Sequence, residues 1–447
     1  MAAAIEGTLT GEDVELRGVV TDSRESYAHA LFVALPGPRT NGALFVEDAF
    51  ERGAAAAIVP TSIETNRPTI RVESPGDALL RLAAHERRTA MADATIIGVT
   101  GANGKTSTKD LAASMLAARF LTHANRGSLN NEIGLPTTLL EAPEGVEVVV
   151  AEMGARRPGD THLLCEVARP TVAVVTNVGL AHIEVFGSWE SIVEASAEPV
   201  EALPNEGVAV LFADDPIVLG YARRTSARVV TFGVSADADV RARNVRLDPE
   251  GRPSFELTAG DEREHTELAV VGEHMVANAL AATACGIVLG MSPAECAAGL
   301  KGARVSPWRM ETFTSRDGIR VLNDAYNANP ESTAAALRTA RRMARGAGLV
   351  AVLGTMAELG VVSVEQHTRI GALAARIGVE RLIVVGADAR PIADAAVREG
   401  MDPQHIATLD DHEEALEDVL AHARPGDVVL LKASRVVGLE RMARALR

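Results

Sequence analysis

The run Gly98-Val99-Thr100-Gly101-Ala102-Asn103-Gly104-Lys105-Thr106-Ser107-Thr108 constrains this chain more than any other stretch. An apolar segment, Thr95 to Val99, leads into it, and Leu111, Ala112, Met115 and Leu116 recur at helical spacing after it. Strand, glycine-rich turn, Lys-Thr and helix, in that order, predict a phosphate-binding loop set in a parallel α/β sheet. Glycine at 101 and 104 lets main-chain amides wrap an anion with no Cβ in the way. The helix N-terminus adds partial positive charge. Lys105 has the reach to neutralise outer phosphates, and the Thr106 hydroxyl suits Mg²⁺. The spacing is Gly-x-x-Gly-Lys-Thr, because Val99 stands where the common eight-residue form has its first glycine.

A chain of 447 residues exceeds a single core, so several domains are expected. A net charge of −16 argues against nucleic acid or an anionic membrane as partner. Among 44 basic residues the lysines are Lys105, Lys109, Lys301 and Lys432, the rest being arginine. In such a background a retained lysine invites a specific role, although Lys109 and Lys301 also fit chance retention. Cys165, Cys285 and Cys296 form no Cys-x-x-Cys pair and sit among apolar residues, which predicts buried thiols rather than disulfides or zinc ligands. Met1 to Leu16 has neither the basic region nor the apolar core of a secretory leader. Apolar stretches fall short of the roughly 20 residues of a membrane helix. The expectation is a cytoplasmic, monomeric protein that handles small molecules, without nucleic acid or membrane insertion.

Three sections are legible. Residues 1–93 hold short strand-like runs (Val19-Val20, Leu31 to Leu35, Ala56 to Val59, Thr69 to Val72) and helical patterns at Phe45 to Arg52 and Pro75 to Met91. Residues 94–307 alternate strands (Ile96 to Val99, Glu147 to Ala151, Val172 to Thr176, Val208 to Phe212) with helices, then pass through a polar stretch, Arg228 to Val271, that reads as an antiparallel excursion. Residues 308–447 alternate strands (Leu349 to Leu353, Leu382 to Val385, Ile406 to Leu409, Val428 to Leu431) with helices again, as a smaller doubly wound unit. The fold class is therefore α/β, with a central parallel sheet of phosphate-loop type and a Rossmann-like C-terminal unit.

Ligands of parallel sheets sit at the carboxyl ends of strands. Those ends carry Gly101 to Thr106, then Glu152, then Asn177, Gly179 and His182, then Asn323, Asp324, Tyr326, Asn327 and Asn329, and finally Lys432, Ser434 and Arg435. Beside a phosphate loop, Glu152 suits a metal better than a buried ion pair. His182 fits a metal ligand or a structural histidine equally well. Asn329-Pro330 predicts a helix cap, which leaves Asp324 and Asn327 free for a nucleotide.

In this order and at these intervals the segments resemble the Mur ligases, ATP-dependent amide-bond ligases that build the peptide stem of peptidoglycan. The resemblance runs from Thr21 to Arg447 and rests on the phosphate loop together with Thr21-Asp22-Ser23-Arg24, Ser128 to Gly134, Glu152 to Ala155, Asn177 to His182, His274 to Asn278, Trp308 to Glu311, Met356 to Gly360 and Lys432 to Arg435. It implies that an acid is phosphorylated by ATP and the acyl phosphate is captured by an amine. Within the family the segments are most similar to the ligase that adds D-alanyl-D-alanine to a UDP-linked muramoyl tripeptide. The resemblance assigns residues 1–93 to the nucleotide-sugar substrate, 94–307 to ATP and 308–447 to the incoming amine. Catalytic duties fall to Lys105, His182 and Arg309. ATP contacts fall to Gly101, Asn103, Gly104, Lys105, Thr106, Ser107, Asn278, Arg309, Asp324 and Asn327. Mg²⁺ ligation falls to Thr106, Glu152 and His182. The nucleotide-sugar and amine substrates take Ser23, Arg24, Asn41, Asn130, Asn131, Lys432, Ser434 and Arg435.

Three positions depart from the family pattern. Asn41-Gly42-Ala43 replaces Asp-Gly-His, Thr355 replaces an acidic residue, and Ser196 stands where the family has a carbamylated lysine on a second Mg²⁺. These departures keep a second reading open, a paralogue that joins another acid and amine. A non-catalytic nucleotide-binding protein is the third reading, and the intact loop with Glu152 and His182 argues against it.

Overall fold

A computed structural model describes residues 1–37 and 40–447. Three sheets of mostly parallel strands follow one another along the chain. The first has five strands in the order Thr8–Thr10, Thr69–Val72, Ala56–Pro60, Leu31–Val33, Val19–Val20. The second has nine, in the order Glu262–Glu267, Pro253–Ala259, Val240–Leu247, Arg228–Gly233, Val208–Phe212, Val172–Val175, Thr95–Thr100, Val148–Glu152, Thr122–Ala124. The third has six: Glu311–Thr314, Arg320–Asn323, Val428–Lys432, Leu349–Gly354, Arg381–Val385, Ile406–Leu409. The architecture is the α/β class read from the alternating pattern.

The central strands form where β-branched runs are long enough to be covered on both faces. Val148, Val149, Val150 and Ala151 are all buried, as are Val172 to Val175. One face is covered by the helix Lys105–Leu116, on which the alanine-rich helix Met275–Val288 packs. Small side chains at Ala279, Ala281 and Ala282 let that helix approach closely. Cys165, Cys285 and Cys296 are buried, and burial pushes each thiol up to about 12, which keeps them protonated.

The structure adjusts several sequence readings. Glu152 and Lys432 are the last residues of their strands rather than the first after them. The stretch from Arg228 does not turn antiparallel at once. Arg228–Gly233 pairs parallel with Val208–Phe212, and antiparallel pairing begins between Val240–Leu247 and Pro253–Ala259. The reason is burial: Phe232 is a core residue and stacks on Phe212 at 5.2 Å, so this segment continues the central sheet. The edge strands Thr8–Thr10, Thr122–Ala124 and Glu311–Thr314 escaped sequence reading because they are short and polar. Among the described residues, no helix is long and apolar enough to cross a membrane.

In the C-terminal unit the helices Ser363–Arg376 and Arg390–Arg398 touch at Gly371. A Cβ there would lie 2.0 Å from the Ile392 carbonyl oxygen. Gly371→Ala gains about 1 kcal/mol of helix propensity but overpacks a main-chain contact, at a cost of about 1 to 3 kcal/mol or more. A lower urea midpoint for the C-terminal unit is expected. An unchanged or raised midpoint would show that the two helices separate freely.

Candidate active site

The phosphate loop joins the strand Thr95–Thr100 to the helix Lys105–Leu116. Gly101 has a φ of 128° and Gly104 a φ of 82°, backbone conformations that L side chains rarely adopt. Space is limiting as well, since a Cβ at Gly101 would lie 2.2 Å from Thr176 Oγ1 and one at Gly104 would lie 2.3 Å from Asn278 Oδ1. Asn177 braces the loop from the neighbouring strand end. Its Oδ1 accepts the Asn103 main-chain N–H (2.8 Å), and its Nδ2 donates to the Asn103 carbonyl (2.9 Å), which also accepts from Thr176 Oγ1 (2.6 Å). Lys105 Nζ donates to the Gly101 carbonyl (2.5 Å) and the Ala102 carbonyl (3.3 Å), so the ammonium folds back over its own loop. Burial lowers the Lys105 pKa, the Glu152 charge opposes that, and Arg309 adds to it. Thr106, Ser107 and Asn278 are buried around the helix start.

Register brings the second and third strand ends alongside. Val99 pairs with Glu152, and Thr100 with Val175. Glu152 is 1% exposed. Its Oε1 accepts from Asn130 Nδ2 (2.7 Å), while its Oε2 is buried with no hydrogen-bond partner among the described residues. Asn131 does something different: its Oδ1 accepts the Gly134 N–H (2.9 Å) at the start of the helix Gly134–Leu140. His182, at a φ of 61°, meets Glu358 from the C-terminal unit through Nδ1. Burial lowers its pKa, partly offset by Glu358. Lys105, His182, Gly101 and Ser196 line a small shared cavity of about 30 Å³. Ser196 therefore faces the site, with its hydroxyl donating to the Ile192 carbonyl (2.8 Å). Its helical neighbours do not compensate for it. Glu194 pairs with Arg224, and Glu198 accepts the Gly159 and His162 N–H groups at 2.7 and 2.8 Å.

The C-terminal unit closes the site from the other side. Arg309 donates to Thr106 Oγ1 (2.7 Å) and lies 4.0 Å over the Tyr326 ring, whose hydroxyl contacts Ser128. Asn329 caps its helix as expected and also donates through Nδ2 to Asn103 Oδ1 (2.6 Å). Asp324 accepts from the Met310 N–H (3.1 Å) and from Lys432 Nζ (2.6 Å), and Lys432 donates to the Asn327 carbonyl (2.8 Å). Lys432 is 2% exposed, so its ammonium is enclosed by its own domain rather than offered to an incoming amine. Ser434 is likewise buried, accepting the Ala357 N–H (2.9 Å). Arg435 is exposed and lies 4.3 Å over the Trp308 ring. Asn327 is exposed.

The remaining predicted residues lie in short turns beside the first sheet, and among the described residues no hydrogen bond or ion pair joins them to the phosphate loop. Ser23 is buried, and Arg24 clasps Asp22 through Nε and Nη2, which holds the Asp22 carboxyl down to about 2. Asn41 caps a short 3₁₀ turn by accepting the Ala43 N–H (3.0 Å).

Residues 99–286 match the Mur ligase middle domain, and residues 308–435 match the Mur ligase glutamate ligase domain. The chain is 41% identical to the UDP-N-acetylmuramoyl-tripeptide–D-alanyl-D-alanine ligase of Mycobacterium bovis, over 95% of this chain and 91% of that protein. The chain belongs to the Mur ligase family. The crystal structure of MurF from Acinetobacter baumannii aligns with a TM-score of 0.89 at 28% identity, covering 99% of this chain and 97% of that one. MurF from Thermotoga maritima, solved in complex with ADP, aligns with a TM-score of 0.83 at 30% identity, covering 97% and 98%.

Glu358 and Ser128 join the site without having been singled out in the sequence, and Tyr326, noted there as a strand-end group, joins it through Arg309 and Ser128. The signal for Glu358 was its place in Met356-Ala357-Glu358-Leu359-Gly360, yet only the folded chain shows it meeting His182. The loop bearing Glu358 hangs on His367, a core residue whose Nε2 accepts the Met356 N–H (2.9 Å) while Nδ1 donates to the Ser363 carbonyl (2.8 Å). That pairing requires the neutral ring. Burial lowers the His367 pKa from 6.5, with the Ser363 carbonyl opposing, and burial shifts His123, His182 and His274 the same way. Histidines depressed in the folded state contribute stability in full above the ordinary value of 6.5, and that stability is lost as pH falls through the lower folded values. Urea unfolding is expected to give lower stability at about pH 5.5 than at about pH 7.5. His367→Gln, whose amide oxygen accepts the Met356 N–H without titrating, should show a shallower slope. Equal slopes for both proteins would remove His367 from the account.

Proposed function

We propose that this Mur ligase joins D-alanyl-D-alanine to UDP-N-acetylmuramoyl tripeptide and cleaves ATP to ADP and phosphate. One observation carries the reading: three adjacent parallel strand ends and the Arg309 segment converge on a single phosphate loop, within a chain whose full-length relatives bear that ligase name. Residues 1–93 would hold the nucleotide-sugar substrate, 94–307 ATP, and 308–447 the incoming amine.

In this reading a substrate carboxylate oxygen attacks the γ-phosphorus of ATP, and ADP leaves. The amine nitrogen then attacks the acyl carbon of the acyl phosphate, loses a proton, and phosphate leaves. Lys105 swings from its own loop carbonyls to the transferring phosphoryl group, and Arg309 leaves Thr106 for phosphate oxygen. The closed C-terminal unit keeps water from the acyl phosphate.

Hard oxygen donors are what Mg²⁺ requires, and the site offers the Thr106 hydroxyl and the orphaned Oε2 of Glu152. Among the described residues no set of three or more His, Cys, Asp or Glu could hold a metal alone, which suits an ion completed by phosphate oxygens and water. Thr106 and Glu152 would hold one Mg²⁺ and His182 a second. When bound, Mg²⁺ screens the charge of the phosphate oxygens.

Release of ADP and phosphate should require the acid and the amine together, with the UDP-linked tripeptide and D-alanyl-D-alanine as the productive pair. Lys105→Ala should lower turnover by roughly 100-fold or more with an unchanged circular-dichroism spectrum. Turnover with a different acid and amine only would establish the paralogue reading, which Ser196, Thr355 and Asn41-Gly42-Ala43 favour. Release of AMP and pyrophosphate would refute both.

Ser196 yields a separate expectation. A neutral hydroxyl spent on the Ile192 carbonyl supplies no charge to a second Mg²⁺ beside His182. Wild-type activity should therefore be indifferent to bicarbonate, and Ser196→Lys should confer bicarbonate sensitivity and a lower Mg²⁺ requirement. Bicarbonate activation of the wild type would contradict this.

A further inference from the structure

Lys109 lies one helical turn beyond Lys105 and faces the protein interior. It is 2% exposed, a costly position for an ammonium unless its donors are satisfied. Two groups accept from it. Nζ lies 2.5 Å from Asp110 Oδ1 and donates to the main-chain carbonyl of Asn125 at 2.8 Å. Asp110 in turn accepts the Ser306 N–H (2.6 Å) and hydroxyl (2.7 Å), just before the C-terminal unit begins.

Asn125 is itself buried, and its side chain clasps the end of the Glu152 strand. Its Oδ1 accepts the Glu152 N–H (2.6 Å), and its Nδ2 donates to the Leu129 carbonyl (2.5 Å) and, more distantly, the Glu152 carbonyl (3.5 Å). The clasp thus fixes both the main chain of Glu152 and the loop that carries Asn130. Asn130 then holds Glu152 Oε1 at 2.7 Å, and the Gly154 N–H returns to the Asn130 carbonyl at 2.8 Å. One carboxylate is gripped through its backbone, through one oxygen and through the loop beside it, while the other oxygen has no hydrogen-bond partner among the described residues.

We propose that Lys109 is a positioning residue: through the Asn125 carbonyl it locks the clasp that sets the free oxygen of Glu152 beside the phosphate loop. A buried cation held by a main-chain carbonyl does more here than fill a core position, because the same asparagine contacts Glu152 and the 128–130 loop together. Removing Lys109 releases the main-chain carbonyl of Asn125, and with it the anchor of the segment that carries the clasp on Glu152. Groups behind a metal ligand commonly govern metal affinity by about 10- to 100-fold. The inference rests on the reading of Glu152 as a metal ligand.

The test uses the full chain with ADP and Mn²⁺ as the probe, followed by electron paramagnetic resonance of free Mn²⁺. Lys109→Met keeps an unbranched stem and removes the ammonium, and Asn125→Ala removes the clasp itself, so either variant suffices if the other fails to fold. Both are expected to weaken ADP-dependent Mn²⁺ binding about tenfold or more. Metal-free ADP affinity should stay near the wild-type value, and the Mg²⁺ concentration for half-maximal ADP release should rise in parallel. Unchanged Mn²⁺ affinity in a folded variant, with or without a lower melting temperature, would overturn the proposal and leave Lys109 a purely structural residue. A Glu152→Gln protein that binds Mn²⁺ like the wild type would instead refute the metal reading of Glu152, and the positioning role with it.

Discussion

The site depends on three parallel strands ending at the same level. Parallel pairing aligns the carboxyl ends of Thr95–Thr100, Val148–Glu152 and Val172–Val175, so the phosphate loop, Glu152 and the Asn177 to His182 loop are neighbours before any side chain is chosen. A one-residue slip between the first two strands would turn Glu152 to the opposite face. Both faces of these strands are buried, which makes such a slip costly and fixes the carboxylate. The main-chain donors of the loop can then be preorganised toward an anion, which is the arrangement that electrostatic catalysis requires.

Closure between the central and C-terminal units has a different character. Arg309 to Thr106, Asn329 to Asn103, His182 to Glu358 and Tyr326 to Ser128 are polar contacts, each with at least one partner that is only half-buried. Hydrogen bonds of this kind net about 1 kcal/mol each. A polar, modest interface suits domains that must open for substrate and product. Two of these contacts, Arg309 to Thr106 and Asn329 to Asn103, use the phosphate loop itself, so closure and the loop are built from the same atoms.

The sequence showed the central machinery plainly because local rules govern it. Valine runs mark strands buried on both faces, and Gly101, Gly104, Lys105 and Thr106 follow from the needs of a phosphate loop. Asn329-Pro330 read as a helix cap and is one, although nothing local announced its second bond to Asn103. Glu358 meets His182 across 176 residues of chain and Ser128 meets Tyr326 across 198, contacts which no periodicity or spacing encodes. Lys432 shows the converse. Its strand-end place and the family resemblance suggested a substrate contact, but Asp324 from the adjacent strand end covers it, a pairing that follows from Arg320–Asn323 and Val428–Lys432 being neighbours.

Lysine scarcity makes sense in this light. Arginine spreads its charge over a planar fork and serves the surface pairs here, such as Arg376 with Glu399 and Arg252 with Asp248. A guanidinium can be buried too, as Arg87 is among the carbonyls of Ala168 and Met91, but a compact ammonium with rotatable donors fits a narrower place. Lys105, Lys109 and Lys432 occupy such places: one over the phosphate loop, one behind the Glu152 clasp, and one beneath Asp324. Lys301, exposed and 3.8 Å from Glu267, is the exception that surface pairing would have allowed arginine to replace. Three of four lysines thus sit where geometry, rather than charge alone, selects the residue.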